Sequence, residues 1–392
     1  MADSYPLFSI FAFCGFVAGL VPFAWHLQAW NAATCAYMLW TSLSSLIYFV
    51  DSIVWHHSIN DPSPVWCDIS TKFLIGAAIG VPASSLCINR RLFKIASGTA
   101  VRVSPEHKRR AVIIDLSIAV GIPVLVMVLH YIVQGHRYNI IEDIGCTPTV
   151  FNTAAAYPLV YMWPPLLGCI AFVFAFLTLR AFWKRRVQFN ELLSSTNSMT
   201  VNRYFRLMLL ACLEMMLTIP LSAYGIYINT YGLSLAPWVS WSDTHYNFSH
   251  VEIAPAVLWR TSKMFTVQVE LDRWIYPCSA LLFFALFGFA QEARRHYRAA
   301  FWWVAGKFGY TPRAAMTYES TSSSGFFSPR SAKFSMDYPV PAYIPPQKKG
   351  SESSESFATF SELEKGGIYT PITPSSTFEY DIIVSANVKA ST

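Results

Sequence analysis

Charge is what this chain has least of. Asp, Glu, Lys and Arg make up 13% of its 392 residues, about half the ~25% of an ordinary soluble domain. A water-soluble globule is excluded first, because the side chains that would cover its surface are missing. Cysteine is equally sparse, with eight in the chain, too few for a disulfide-stapled scaffold. Enzyme hardware is missing as well. There is no H-E-x-x-H, G-x-S-x-G, P-loop or G-x-G-x-x-G, so metalloprotease chemistry, serine hydrolysis and nucleotide binding have nothing to stand on. The nine histidines are scattered apart from His56-His57, a pair with no further ligand at metal-binding spacing that reads as structural. No cofactor, metal or nucleic-acid partner is expected, and the chain is not expected to be an enzyme.

What is present is hydrophobicity: 54% apolar residues, 16% aromatics and a mean hydropathy of +0.36. Seven stretches of seventeen or more residues carry at most one charge: Leu7–Trp25, Ala32–Val50, Phe73–Asn89, Ala111–Val133, Phe151–Leu179, Leu207–Ile228 and Trp274–Ala290. Each is long enough to cross a hydrocarbon layer of about 30 Å as a helix. The first has no basic flank and no small-residue cleavage site, so it reads as an uncleaved helix and not a signal peptide. The expected fold is an all-α membrane protein, a seven-transmembrane helix bundle. Its helices fall at about 7–25, 32–55, 68–89, 111–133, 151–179, 205–228 and 267–290, after a short outer N-terminus at 1–6.

Lys and Arg beside membrane spans are retained on the cytoplasmic side, and here they are lopsided. Eighteen lie between spans three and four, from the end of span five into span six, and after span seven as far as Arg313; five, Lys72, Arg137, Arg260, Lys263 and Arg273, lie on the other side. The N-terminus is therefore expected outside and the C-terminus in the cytoplasm. The N-x-Ser/Thr acceptor Asn247-Phe248-Ser249 falls in the long outer loop after span six, and Cys67 and Cys146 share that side. Residues 291–313 read as an amphipathic helix on the inner membrane face. From 314 to 392, Ser and Thr account for 23 of 79 residues and Pro recurs, the composition of a disordered cytoplasmic tail.

An ionisable group at membrane depth is costly and turns toward a bundle interior. Glu214 near the middle of span six, Asp115 near the inner end of span four and Arg273 entering span seven are such groups. For Glu214 the residues leave open an internal hydrogen-bonded switch, plain packing or direct ligand contact. Pro220, six residues later, removes a backbone hydrogen bond and gives span six a kink or hinge. A secondary transporter would show matching broken helices in two halves, and these spans with unequal loops show none. One large outer loop, three basic inner segments and a phosphorylatable tail fit a receptor that passes a signal inward.

Several stretches then belong together: Trp66-Cys67-Asp68 with Asn89-Arg90-Arg91-Leu92 on span three, Gln134-Gly135-His136-Arg137-Tyr138-Asn139-Ile140 followed by Glu142-Asp143-Ile144-Gly145-Cys146, and Arg273-Trp274 with Phe283-Phe284-Ala285-Leu286-Phe287-Gly288-Phe289. Through them the chain resembles the fungal mating pheromone receptors of the a-factor type, the lipopeptide-sensing branch of class D G-protein-coupled receptors, from about Pro6 to Tyr310. The resemblance implies a plasma-membrane receptor for a farnesylated, carboxymethylated peptide, coupled to a heterotrimeric G protein that feeds a mating MAP-kinase cascade. A farnesyl chain gains about 0.8 kcal/mol per CH₂ buried in a bilayer, so membrane lipid is itself a partner that concentrates the ligand. The likeness also implies a disulfide between Cys67 and Cys146.

The peptide pocket is expected among Lys72, Phe73, Tyr157, Tyr161, Trp163, Tyr224, Tyr227, Trp274 and Tyr276, near the outer halves of spans three, five, six and seven. Packing or interface anchoring is the alternative for each aromatic, and Lys72 has Asp68 one turn back as an alternative partner. Glu214, Pro220 and Arg273 are the expected switch elements. Contact with the G protein is expected at Arg90, Arg91, Arg109, Arg110, Lys184, Arg185, Arg186 and Arg206, with membrane topology as the other reading of the same charges. Span three ends in Asn89-Arg90-Arg91 and span seven lacks Asn-Pro-x-x-Tyr, so a rhodopsin-like switch scheme does not carry over. The alternatives are an orphan receptor for another lipophilic ligand and a seven-span transporter. A homodimer is counted among the expected partners.

Overall fold

The computed structural model describes residues 5–98, 105–185, 201–230, 235–289 and 291–307; the tail expected from residue 314 lies outside them. Among the described residues seven helical segments of 22 residues or more follow one another: α1 Leu7–Gln28, α2 Ala32–Val54, α3 Pro64–Ala96, α4 Glu106–Val133, α5 Trp163–Arg185, α6 Val201–Thr230 and α7 Lys263–Phe287. Six of them, α1 to α6, are long and apolar enough to cross a membrane. The seventh differs because Glu270, Asp272 and Arg273 stand in its first half, so its uncharged run begins only at Trp274. Helices suit such sequence because, in lipid, every backbone polar group has to be satisfied within its own segment.

The axis of the bundle is α3: 83% of its most apolar window is buried, against 22% in each of α4 and α5. Helices α2, α4, α5 and α6 all pack on it, while α1 and α7 close against α2, and α7 meets α6. The outward faces are apolar, with Phe13, Val17, Val124, Val128, Phe172 and Phe176 exposed. The buried faces of α2 and α3 carry Ser42, Ser44, Ser45, Ser84, Ser85 and Asn89. That inverted arrangement suits a lipid solvent, in which small and polar residues hold helices together once the hydrophobic drive between them is lost.

Prolines decide where the helices deviate. The first span is interrupted at Val21-Pro22, giving two helical pieces, Leu7–Leu20 and Phe23–Gln28. In α4, Pro123 has no N–H to offer the Ala119 carbonyl one turn back. The stretch Ser117–Gly121 widens into a π-turn, and the Ala119 carbonyl accepts the indole N–H of Trp40 from α2 at 2.9 Å instead. Gly80 of α3 makes room for that ring, since a Cβ there would stand 2.3 Å from its Nε1. The fifth span needs correcting. Phe151 to Ala155 lie outside any helix, with Thr153 bridging Ala236, a π-turn follows at Tyr157–Tyr161, and the α-helix begins at Trp163. Pro158, Pro164 and Pro165 explain the late start, because none can donate the N–H that a helix begun at 151 would require of it.

The all-α expectation also needs amending. Between α4 and α5, β1 (Tyr138–Ile141) and β2 (Gly145–Thr147) pair antiparallel, and β3 (Val251–Ala254) from the loop before α7 lies parallel to β1, in the order β2-β1-β3. Strands of three and four residues are too short to announce themselves by alternation. Asp143 and Gly145 supply the left-handed residues of the hairpin, at φ 67° and 101°. Only glycine fits at 145, where a Cβ would lie 2.4 Å from the Asp51 Cβ. At the opposite end of the bundle, α8 (Gln291–Lys307) follows α7, and Tyr297 packs edge-on against Trp25 at 5.9 Å.

Candidate functional site

The sheet caps one end of the bundle. A disulfide joins Cys67, in the first turn of α3, to Cys146 in β2 with a Cα–Cα distance of 5.3 Å, and both are buried with Trp55, Tyr138 and Ile140. Carboxylates knit the surrounding loops. Asp68 accepts Arg137 Nε and Nη2 at 2.8 and 2.6 Å, a bidentate pair that holds the guanidinium above its ordinary pKa. Tyr138 donates to Asp61 at 2.7 Å; burial, and then that carboxylate, push its phenol up. Trp66 donates its indole N–H to Asp51 at 2.7 Å. At the hairpin tip, the Asp143 carboxylate accepts the backbone N–H of His57 at 2.9 Å and the Arg260 guanidinium at 2.8 Å. The Asp143 carbonyl accepts Arg273 Nη1 at 3.3 Å. Arg273 is buried, donates to both Glu270 oxygens at 2.9 and 2.6 Å, and lies 4.4 Å over the Phe8 ring.

Asp68 is therefore paired with Arg137, and not with Lys72 as the i−4 spacing allowed. Lys72 Nζ reaches His130 Nδ1 at 2.8 Å and lies 5.5 Å over the Tyr131 ring. His130 Nε2 bonds the Thr149 carbonyl at 2.9 Å. A carbonyl only accepts, which places the proton on Nε2 and leaves Nδ1 to accept from the ammonium.

Of the nine residues expected around one pocket, Phe73, Trp274 and Tyr276 pack in one core cluster and Tyr161 and Trp163 in another. Tyr161 and Trp163 join the core between α3, α4 and α5. Tyr157 stands 5.5 Å from Tyr161 and donates to Asn152 at 3.2 Å. Phe73 packs on Trp40 at 5.0 Å. Tyr276 is buried against Tyr48 at 5.9 Å, and Trp274 turns toward α1, packing on Phe8 at 5.0 Å and Phe11 at 5.8 Å. On α6, Tyr224 is half-buried and Tyr227 exposed. Position along a helix says how deep a ring sits, and says nothing about which neighbour it turns toward.

Toward the other end, Tyr37 of α2 donates its hydroxyl to Glu214 of α6, with Ser279 of α7 beside the same carboxylate. Both Tyr37 and Glu214 are buried. Depth in an apolar run singled out Glu214, but no spacing links it to a tyrosine 177 residues earlier. Pro220 follows within the same helix. Arg90, expected among the residues that meet a G protein, is instead tied inside the bundle: its Nη2 stands 2.6 Å from Asp115 Oδ1, bridging α3 and α4. Arg109, Arg110 and Lys184 are exposed, and Arg91 and Arg206 half-buried. Arg185 ends α5, and Arg186 lies outside the described residues. Asn247 is exposed in the turn before β3, at φ 53°.

A family model described as Pheromone A receptor matches residues 7–309. The chain is 48% identical over 322 residues to the Pheromone B alpha 3 receptor of Schizophyllum commune, covering 82% of this chain and 51% of that receptor. It is 37% identical over 298 residues to Pheromone receptor 1 of Mycosarcoma maydis, covering 74% and 82%. To the Pheromone a factor receptor of Saccharomyces cerevisiae it is 26% identical over 283 residues, covering 70% and 57%. The chain spans about half the length of the Schizophyllum receptors it matches. The matched interval takes in every helix from α1 to α8, the disulfide and the sheet. The chain belongs to the pheromone A receptor family.

Proposed function

We propose that this chain is a plasma-membrane receptor for a farnesylated peptide mating pheromone, and that it activates a heterotrimeric G protein upstream of a mating MAP-kinase cascade. The observation that carries the reading is the family match across the whole helical bundle, supported by relatives named as pheromone receptors. In this reading seven helices cross the membrane, with the sheet-capped end outside and α8 on the cytoplasmic face, as the distribution of Lys and Arg favours. Helix α7 tolerates charge in its first half because Glu270 and Arg273 satisfy one another, which is how ionisable groups persist at membrane depth. The lipid chain of the ligand partitions into the bilayer, gaining about 0.8 kcal/mol per buried CH₂, and its peptide part meets the cap. There Lys72, with His130 and Tyr131, presents a cation beside rings.

A ligand shifts a conformational equilibrium only by its difference in affinity for the two states. Two internal links define the arrangement it has to disturb. Tyr37, Glu214 and Ser279 connect α2, α6 and α7, and Arg90 with Asp115 connects α3 and α4. Their release, with Pro220 as the hinge of α6, opens the cytoplasmic end and presents Arg91, Arg109, Arg110, Lys184, Arg185, Arg186 and Arg206 to the G-protein α subunit. No catalytic step belongs to this reading.

The test is a mating-pathway reporter in yeast lacking its own pheromone receptors, with surface receptor verified, exposed to matched peptides with and without the farnesyl group. A response confined to farnesylated members supports the assignment. Silence across a broad panel, with receptor at the surface, overturns it.

A further inference from the structure

We infer that the sheet-capped end carries a site for one divalent transition ion of the Zn²⁺ class, formed by His56 Nδ1, His57 Nδ1 and Asp143 Oδ1. These atoms all lie within 4.8 Å of one another, with His56 at 3.6 Å and His57 at 3.4 Å from the carboxylate oxygen. Tetrahedral coordination with bonds of about 2.0–2.2 Å to nitrogen and oxygen sets neighbouring ligand atoms ~3.4 Å apart. Both nitrogen-to-carboxylate distances already stand near that spacing, and the pair of nitrogens, within 4.8 Å of each other, needs only side-chain rotation to close on an ion.

Backbone geometry builds this site. Neighbouring residues of a helix point about 100° apart and cannot share an ion. Here α2 stops at Val54 and His57 takes a left-handed φ of 51°, which brings the two imidazole rings to 4.0 Å between centroids. Asp143 is left-handed too, at 67°. Positive φ is uncommon outside glycine, and two of the four such residues among those described are ligands of this one site.

The ligands are held from behind, as metal ligands are. Arg260 holds the far carboxylate oxygen of Asp143 at 2.8 Å, the His57 backbone N–H bonds the near one at 2.9 Å, and Tyr5 stacks on His56 at 3.9 Å. The His57 side chain is 65% exposed while that of Asp143 is 5% exposed, so an ion arrives from solvent and keeps a fourth position for water. Two imidazoles with one carboxylate suit Zn²⁺, Cu²⁺ or Ni²⁺ and not the all-oxygen preference of Ca²⁺ or Mg²⁺. A bound ion ties the end of α2 to the β1–β2 hairpin, whose Asp143 carbonyl is bound by Arg273 of α7.

The test needs no pheromone and so stands apart from the receptor reading. Full-length protein, purified in detergent through a tag without histidine, is titrated with Co²⁺ and then with ZnCl₂. The expected result is one equivalent of Co²⁺ with a visible absorption band, removed by Zn²⁺, and a raised Tm in the Zn²⁺-loaded protein. His56→Gln and His57→Gln should each weaken binding more than about tenfold, while their metal-free Tm verifies folding. A flat Co²⁺ titration, or one that His57→Gln leaves unchanged, overturns the site and leaves the two histidines as neighbours of Asp143 with no part in metal binding.

Discussion

Within an apolar bundle a carboxyl group is stable only where a donor meets it, and Glu214 meets Tyr37. Tyr37→Phe removes that donor without changing the packing volume much, and an unmet buried polar group costs about 1–3 kcal/mol. A lower Tm of the detergent-purified receptor is expected, with a smaller loss for Glu214→Gln, whose amide oxygen still accepts; the reverse order would refute the assignment. Arg90 poses a sharper question. Removing one partner of a buried ion pair costs about 3–5 kcal/mol, somewhat less here because Arg90 keeps 20% of its side chain exposed. If the Arg90–Asp115 pair restrains the resting arrangement, Asp115→Asn and Arg90→Ala should both raise ligand-independent reporter activity several-fold. A rise with Asp115→Asn and a fall with Arg90→Ala would instead mean that Arg90 acts directly on the G protein. Depth made Glu214 and Asp115 visible in the sequence; their partners, Tyr37 and Arg90, were not identified as such, because neither is unusual for its position.

At the scale of elements, hydropathy locates helices and prolines locate their faults, but neither says what fills a fault. Pro123 is visible as a missing donor, and the Trp40 indole that replaces it comes from another helix. The hairpin between α4 and α5 was hidden for a different reason. Its strands are a few residues long and the third strand comes from the loop after α6, so pairing between distant segments, and not periodicity, creates the sheet. Gly145 is where this sheet touches the bundle. Gly145→Ala meets both a left-handed φ and the Asp51 side chain at 2.4 Å, so a Tm lower by several degrees and less receptor at the surface are expected. An unchanged Tm would mean that the hairpin can move off α2 without loss.

At the scale of the whole molecule the prediction is one of sidedness. The proposed orientation puts Asn247 in an outer loop, where its exposed side chain is a substrate for glycosylation. Receptor from a eukaryotic host should therefore gain mobility on glycosidase digestion, and Asn247→Gln should remove the shift. A wild-type chain that carries no glycan would withdraw this support for an outward cap, and a protease-accessible epitope placed beside Lys307 would then decide the orientation.

Six membrane-length apolar helices could be read run by run, because crossing a bilayer depends on the length and composition of one local segment. The family was legible too, in short blocks that stay contiguous along the chain. Contacts were not. His57 finds Asp143 across 86 residues, Arg137 finds Asp68 across 69 and Tyr37 finds Glu214 across 177. Whether Lys72 faced Asp68 or His130, which neighbours Phe73, Trp274 and Tyr276 turned toward, and whether two histidines had a third companion were decided only when the helices packed. The physical reason is that a hydrogen bond or a coordination sphere depends on distances of about 3 Å, and chain spacing sets such distances only within one turn of one helix.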